Sequence, residues 1–142
     1  MMYETEQDRQ AELEIIHALM PHLGMLSARK LPAGMILDFL MTDADDGPAY
    51  AEVKDRPTLG FGSGDGYYLS RNKVLKAADL AAHTGSGAHL AVRFKDRTIW
   101  HAPLFRFHPG KVIMFGRRDR GDPRDITPCV VYPWPAFKQV AA

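Results

Sequence analysis

Apolar positions along the chain change their period several times, and each change marks an element. Between residues 4 and 20, Leu13, Ile15, Ile16, Leu19 and Met20 recur at helical spacing, and no proline intervenes before Pro21, so a helix is expected there. Ile15, Ile16 and Leu19 centre its apolar stripe. At about 100° per residue Glu12 falls inside that stripe, whereas Glu14 projects away from it. Met35 to Met41 is a short apolar run holding a single acid, Asp38. From Ala49 to Lys54 the residues alternate, with Tyr50, Glu52 and Lys54 on one face and Ala49, Ala51 and Val53 on the other. The stretch between these two runs is dense in turn formers. A hairpin follows, bringing Asp38 near Glu52 but leaving its register open.

The remaining elements are read in the same way. Pro21, Gly24 and Pro32 punctuate a connection that contains Arg29 and Lys30. Asp55-Arg56-Pro57 ends the second strand, and four glycines follow in the seven residues from Gly60 to Gly66. This segment lacks the strand-turn-helix context and the Gly-Lys-Ser/Thr of a phosphate loop. It reads as a mobile surface loop, either a connector or a lid near the site. Tyr67 to Leu69 is short and extended. Ser70 then suits the N-cap of a helix from Arg71 to about His83 that buries Val74, Leu75, Ala77, Ala78, Ala81 and Ala82 and stops at Gly85. Residues 89–94 and 98–102 form a second hairpin about Lys95-Asp96-Arg97. Val112 to Phe115 and Cys129 to Tyr132 read as further strands, separated in part by the charged stretch from Gly116 to Asp125.

Composition narrows the class. With 142 residues, 46% hydrophobic and 25% charged, the chain suits a single domain spanning 1–142 with a real core. A net charge of +1 gives no bulk attraction to nucleic acid, so any such affinity must come from a local basic face. One cysteine, Cys129, allows no internal disulfide. No apolar run approaches a membrane span, and the first residues lack a signal-peptide layout. A soluble cytoplasmic protein without membrane contact is expected.

The chemistry concentrates at Asp38, Glu52 and Lys54. Charges on an apolar strand are unfavourable unless compensated, and two acids beside a lysine suit a divalent cation such as Mg²⁺, which takes a few carboxylate oxygens plus water and phosphate. An exposed Glu-Lys ladder is the plain alternative. Arg71, Lys73 and Lys76 stand in the first turns of the second helix, where cations oppose the dipole. A polyanionic substrate would account for them, as would simple solvation. The six histidines show no metal-protease spacing.

The spacing Asp38…Glu52-Val53-Lys54 resembles the signature of the PD-(D/E)XK nuclease superfamily, the restriction-endonuclease-like fold. The order of elements, from the Glu12 helix through Lys30-Leu31-Pro32, Tyr68-Leu69-Ser70 and Lys73 to Leu90-Ala91-Val92-Arg93-Phe94, resembles small phage-associated members related to Holliday-junction resolvases. The resemblance implies an α/β fold with a mixed central sheet flanked by helices. It also implies Mg²⁺- or Mn²⁺-dependent hydrolysis of phosphodiester bonds in DNA, with branched intermediates among the candidate substrates. Asp38, Glu52 and the Val53 carbonyl then match metal ligands, Glu12 an additional helix acid, and Lys54 the residue that orients water and stabilises charge at the phosphate. Lys73 matches a basic residue of the following helix, joined as backbone contacts by Arg56, Lys76, Arg71, Arg117 and Arg118. Leu37 replaces the usual proline. Many such proteins dimerise, so a homodimer is expected. The rival reading is a nuclease-like fold that binds nucleic acid or a protein without cutting.

Overall fold

The computed structural model describes residues 5–104, 112–116, 121 and 126–141. Helix α1 (Glu6–His22) opens on a capping box: Asp8 N–H donates to Thr5 Oγ1 at 3.1 Å, and Thr5 N–H donates to Asp8 Oδ2 at 3.0 Å. Two of the donors that a helix start leaves unpaired are thereby satisfied. The helix runs two residues past its expected end, with Pro21 inside the final turn. A proline there disrupts little, because Leu23 N–H still reaches Leu19 O at 3.1 Å.

The strands are β1 (Ser27–Lys30), β2 (Phe39–Thr42), β3 (Pro48–Asp55), β4 (Tyr67–Ser70), β5 (Gly87–Arg93), β6 (Ile99–Pro103), β7 (Val112–Gly116), β8 (Ile126–Tyr132) and β9 (Lys138–Gln139). Helix α2 (Arg71–Thr84) lies between β4 and β5. A six-stranded sheet has the order β1-β2-β3-β5-β6-β9, and a three-stranded sheet the order β4-β8-β7. Only the central pair β3 and β5 is parallel among these pairings. Parallel neighbours need a long crossover, and β4 with α2 supplies it.

Two apolar layers enclose the larger sheet. On one face Ile15, Ile16 and Leu19 of α1 pack with Phe39, Met41, Ala49, Ala51, Val53 and Ala91. On the other, Leu90, Val92 and Phe94 pack with Val74 and Ala77 of α2 and with Tyr67, Val130 and Tyr132 of the smaller sheet. Being covered on both sides, β5 carries the continuous buried run Leu90-Ala91-Val92.

Several expectations are corrected. The run from Met35 to Met41 is not one strand: residues 35–38 bend, and β2 begins at Phe39. Leu37 packs in the α2-side layer while Phe39 and Met41 pack in the α1-side layer. Positions 37, 39 and 41 of a straight strand would share one face, so the chain must turn at Asp38. Ser70 precedes α2 but makes no side-chain cap bond. Within α2 only Val74 and Ala77 are fully buried, while Leu75, Ala78 and Ala81 are half-buried and Ala82 is exposed. Gly85 does end the helix, in the left-handed conformation at φ 70°.

The glycine-rich segment is anchored, not a free lid. Phe61 stacks on Trp100 with ring centroids 3.7 Å apart and meets Trp134 at 4.7 Å, and Trp134 Nε1 donates to Gly64 O at 3.3 Å. At Gly66 a Cβ would lie 2.3 Å from the Tyr132 carbonyl oxygen, so glycine there serves close approach of two backbones.

Candidate active site at the end of strand β3

The β2–β3 ladder pairs Leu40 with Tyr50 and ends with Phe39 opposite Ala51, so Asp38 lies one residue beyond its last pair. Backbone pairing continues to that point, with Asp38 N–H donating to Ala51 O at 3.0 Å. Beyond it the side chain takes over from the ladder: Asp38 Oδ2 accepts the Val53 N–H at 3.0 Å. The N–H and C=O of one strand residue leave on the same edge, so the Val53 carbonyl is directed to the same side as Asp38. The bend that separates Leu37 from Phe39 thus also turns Asp38 toward the end of β3.

Glu52 is fully buried, on the α2-facing side of β3. Its Oε1 accepts from Lys73 Nζ of α2 at 2.7 Å and stands 3.0 Å from Lys54 Nζ. Its Oε2 is buried with no hydrogen-bond partner. A buried charged oxygen left unpaired is unfavourable by several kcal/mol in general, so this atom has capacity for a further ligand. Burial acts to lower the Lys54 pKa, but the adjacent Glu52 carboxylate outweighs it, with Asp38 adding to the effect. The ammonium is therefore held above its ordinary value.

Glu12 completes the acidic set from α1. It faces neither the buried core nor open solvent: it bonds Lys30 Nζ of β1, which also stands 3.9 Å from Asp38 Oδ1 and 5.2 Å from the Phe39 ring centre. A cleft of about 390 Å³ is bordered by Glu12, Lys30, Asp38, Lys54, Arg56 and Lys73, among others. Arg56 is exposed, and its N–H donates to Arg93 O at 2.8 Å. Arg71 and Lys76 are exposed on α2 and do not border the cleft. Arg117 and Arg118 lie outside the described residues.

Sequence reasoning missed the far face of β3. Arg93, only 6% exposed, places Nε 3.2 Å from Asp55 Oδ1, Nη2 3.3 Å from Asp55 Oδ2 and Nη1 2.7 Å from Glu14 Oε2. Glu14 therefore does not simply project into solvent, and the Arg93 bond holds its carboxyl below the usual range. A second missed group is Tyr67, whose pKa is raised by burial and eased by nearby Arg56 and Lys54. Neither had a spacing signal; both depend on pairing between distant segments.

Among the described residues no three or more His, Cys, Asp or Glu side chains stand together as a metal cage. At the end of β3 stand the Asp38 carboxylate, on the Val53 N–H, and the Glu52 carboxylate, with one unpaired buried oxygen. Mg²⁺ is typically bound in this way, through one or two carboxylates with water and substrate phosphate filling the remainder.

The sequence matches a family described as "Phage putative PDDEXK endonuclease" over residues 1–140. The chain belongs to this family. With membership comes the activity class, an endonuclease of the PD-(D/E)XK type, whose members generally use divalent metal ions. Among solved structures, this PDDEXK family member is similar to Hjc, a Holliday junction resolvase from Archaeoglobus fulgidus. The two share 21% identity over 67% of this chain and 74% of that one, with a TM-score of 0.47. No curated protein matches the sequence at a significant level. Among the described residues, no helix is long and apolar enough to cross a membrane.

Proposed function

We propose that the cleft at the end of β3 is the site of DNA phosphodiester hydrolysis, with Asp38, Glu52 and the Val53 carbonyl holding Mg²⁺ or Mn²⁺ and Glu12 supporting them. The observation that carries this reading is the buried Glu52 carboxylate, with one oxygen on two lysines and the other on nothing. An ion bound there would supply Lewis-acid polarisation of the phosphate and a more acidic bound water.

The chain's own residues do the rest. Glu52 stands on β3 and Asp38 in the bend just before β2, tied to β3 by its bond from the Val53 N–H. Lys54, bonded to Glu52 and bordering the cleft, presents an ammonium donor to the developing negative charge at phosphorus. Lys73 and Arg56 border the same space. With Arg71, Lys76, Arg117 and Arg118 they are assigned to the substrate backbone, which positions the duplex without reading its sequence. The enzyme is proposed to act in the cytoplasm on branched or linear DNA. A homodimer is part of the reading, since two such clefts address two strands.

Cleavage of plasmid and four-way-junction DNA by the wild type and by Asp38→Ala, Glu52→Ala and Lys54→Ala tests the assignment. Loss of at least roughly 10³-fold is expected for each, with the far-ultraviolet circular dichroism spectrum unchanged. Cleavage by Glu52→Ala at the wild-type rate rules the site out. A wild type that binds DNA and no Mn²⁺ identifies the chain as a non-cutting member instead.

A further inference from the structure

We infer that Lys73, on one oxygen of Glu52, opposes a metal ion at the other by charge, so that ion binding displaces its ammonium toward the substrate phosphate and couples the two binding events. This rests on the hydrolase reading above and adds to it a control on when the site is loaded.

Three observations lead there. The Lys73–Glu52 contact, at 2.7 Å, is shorter than the Lys54–Glu52 contact at 3.0 Å, and both fall on the same oxygen. The two lysines come from different elements. Lys54 lies two residues from Glu52 on the same strand, while Lys73 reaches across from α2. Withdrawing the Lys73 side chain removes the α2 contact with Glu52, whereas Lys54 stays beside Glu52 on the same face of the strand. Its side chain is 28% exposed and borders the cleft, whereas Glu52 lies behind it with no exposure.

Charge balance gives the consequence. Three acids, Glu12, Asp38 and Glu52, face three lysines, with Lys30 between Glu12 and Asp38 and both Lys54 and Lys73 on Glu52. A divalent ion entering that set meets no net attraction while Lys73 remains on Glu52. A phosphodiester arriving with the ion offsets part of the added charge and offers the displaced ammonium an acceptor. Linkage then requires that DNA raise the affinity for the ion by the same factor as the ion raises the affinity for DNA.

The test is calorimetric titration of Mn²⁺ into DNA-free protein, with Lys73→Met, Lys73→Gln, Lys73→Arg and Lys95→Met beside the wild type. Lys95 is exposed on the β5–β6 turn. Removing a unit charge a few ångströms from a divalent ion should tighten Mn²⁺ binding roughly tenfold in Lys73→Met and Lys73→Gln. Lys73→Arg and Lys95→Met should match the wild type. In parallel, Ca²⁺ should strengthen binding of a short duplex, read by fluorescence anisotropy, far more in the wild type than in Lys73→Met. A merely structural lysine would loosen the site, so unchanged or weaker Mn²⁺ binding in both neutral variants overturns the inference. If those variants match the wild type and Glu52→Gln still abolishes binding, the metal site stands and only the role of Lys73 falls. If no protein binds Mn²⁺, both readings fall together.

Discussion

Two ionic clusters sit on opposite faces of β3, and they are built in opposite senses. Facing α1, one buried guanidinium, Arg93, lies between two carboxylates, Asp55 and Glu14. Facing α2, one buried carboxylate, Glu52, lies between two ammonium groups, Lys54 and Lys73. In the first, the planar fork engages both acids through Nε, Nη1 and Nη2. In the second, both cations share one oxygen while the other is left over. The arginine cluster ties α1 to the ends of β3 and β5 and leaves no buried side-chain atom without a partner. The glutamate cluster leaves Glu52 Oε2 buried without a partner, which is where the proposed reading puts the ion. Burial and pairing are common to both clusters; the unsatisfied oxygen is what separates them.

The largest effects should separate the two clusters. Glu52→Gln should remove cleavage by roughly 10³-fold or more while shifting stability by only about 1 kcal/mol either way. The change removes a buried charge that already lacks a full set of partners. Arg93→Met should do the reverse, lowering stability by roughly 2–4 kcal/mol. The lower part of that range is expected because Glu14 and Asp55 are 46% and 27% exposed and can turn to water once released. Urea unfolding followed by tryptophan fluorescence reads both variants. A Glu52→Gln protein that loses as much stability as Arg93→Met would erase the distinction between clamp and site.

How far the sequence disclosed these features follows from how local their causes are. The α1 stripe was legible because periodicity alone determines it, and Ile15, Ile16 and Leu19 are buried as expected. The hairpin carrying Asp38 and Glu52 was legible because two apolar runs flank a turn-rich segment. Strand β1 was not, since Ser27-Ala28-Arg29-Lys30 is mostly exposed and becomes a strand only by pairing with β2. Nor was the two-residue β9, which depends on Trp100 and His101 as partners. The bend at Asp38 was hidden because burial of Leu37 on the α2-facing side is decided by α2 and the smaller sheet, which arrive later in the chain. Arg93 looked like the polar position of an alternating strand, although its partners lie 38 and 79 residues away in sequence. Asp38, Glu52 and Lys54 were singled out by spacing, but the Lys73 bond to Glu52 required the β4–α2 crossover.

The smallest expected effect probes the α1-facing side farther along β5 and β6, away from the cleft. His89 Nδ1 and His101 Nε2 are 2.9 Å apart, and the His22 ring meets His101 edge-on at 5.2 Å. Burial, with His89, His22 and Lys138 nearby, lowers the His101 pKa to about 4 from an ordinary 6.5. Between those values the unfolded chain binds a proton that the folded chain refuses, so stability rises with pH across that window. The contribution is complete above about pH 6.5 and is lost as the pH falls toward 4. Allowing for the partial exposure of the ring, the loss should be about 1–2 kcal/mol. His101→Gln should therefore flatten the acid limb of the melting temperature between pH 6.5 and 4.5 and leave the cleft's activity at pH 8 unchanged. An acid limb as steep in His101→Gln as in the wild type would show that His101 does not govern acid stability on that face.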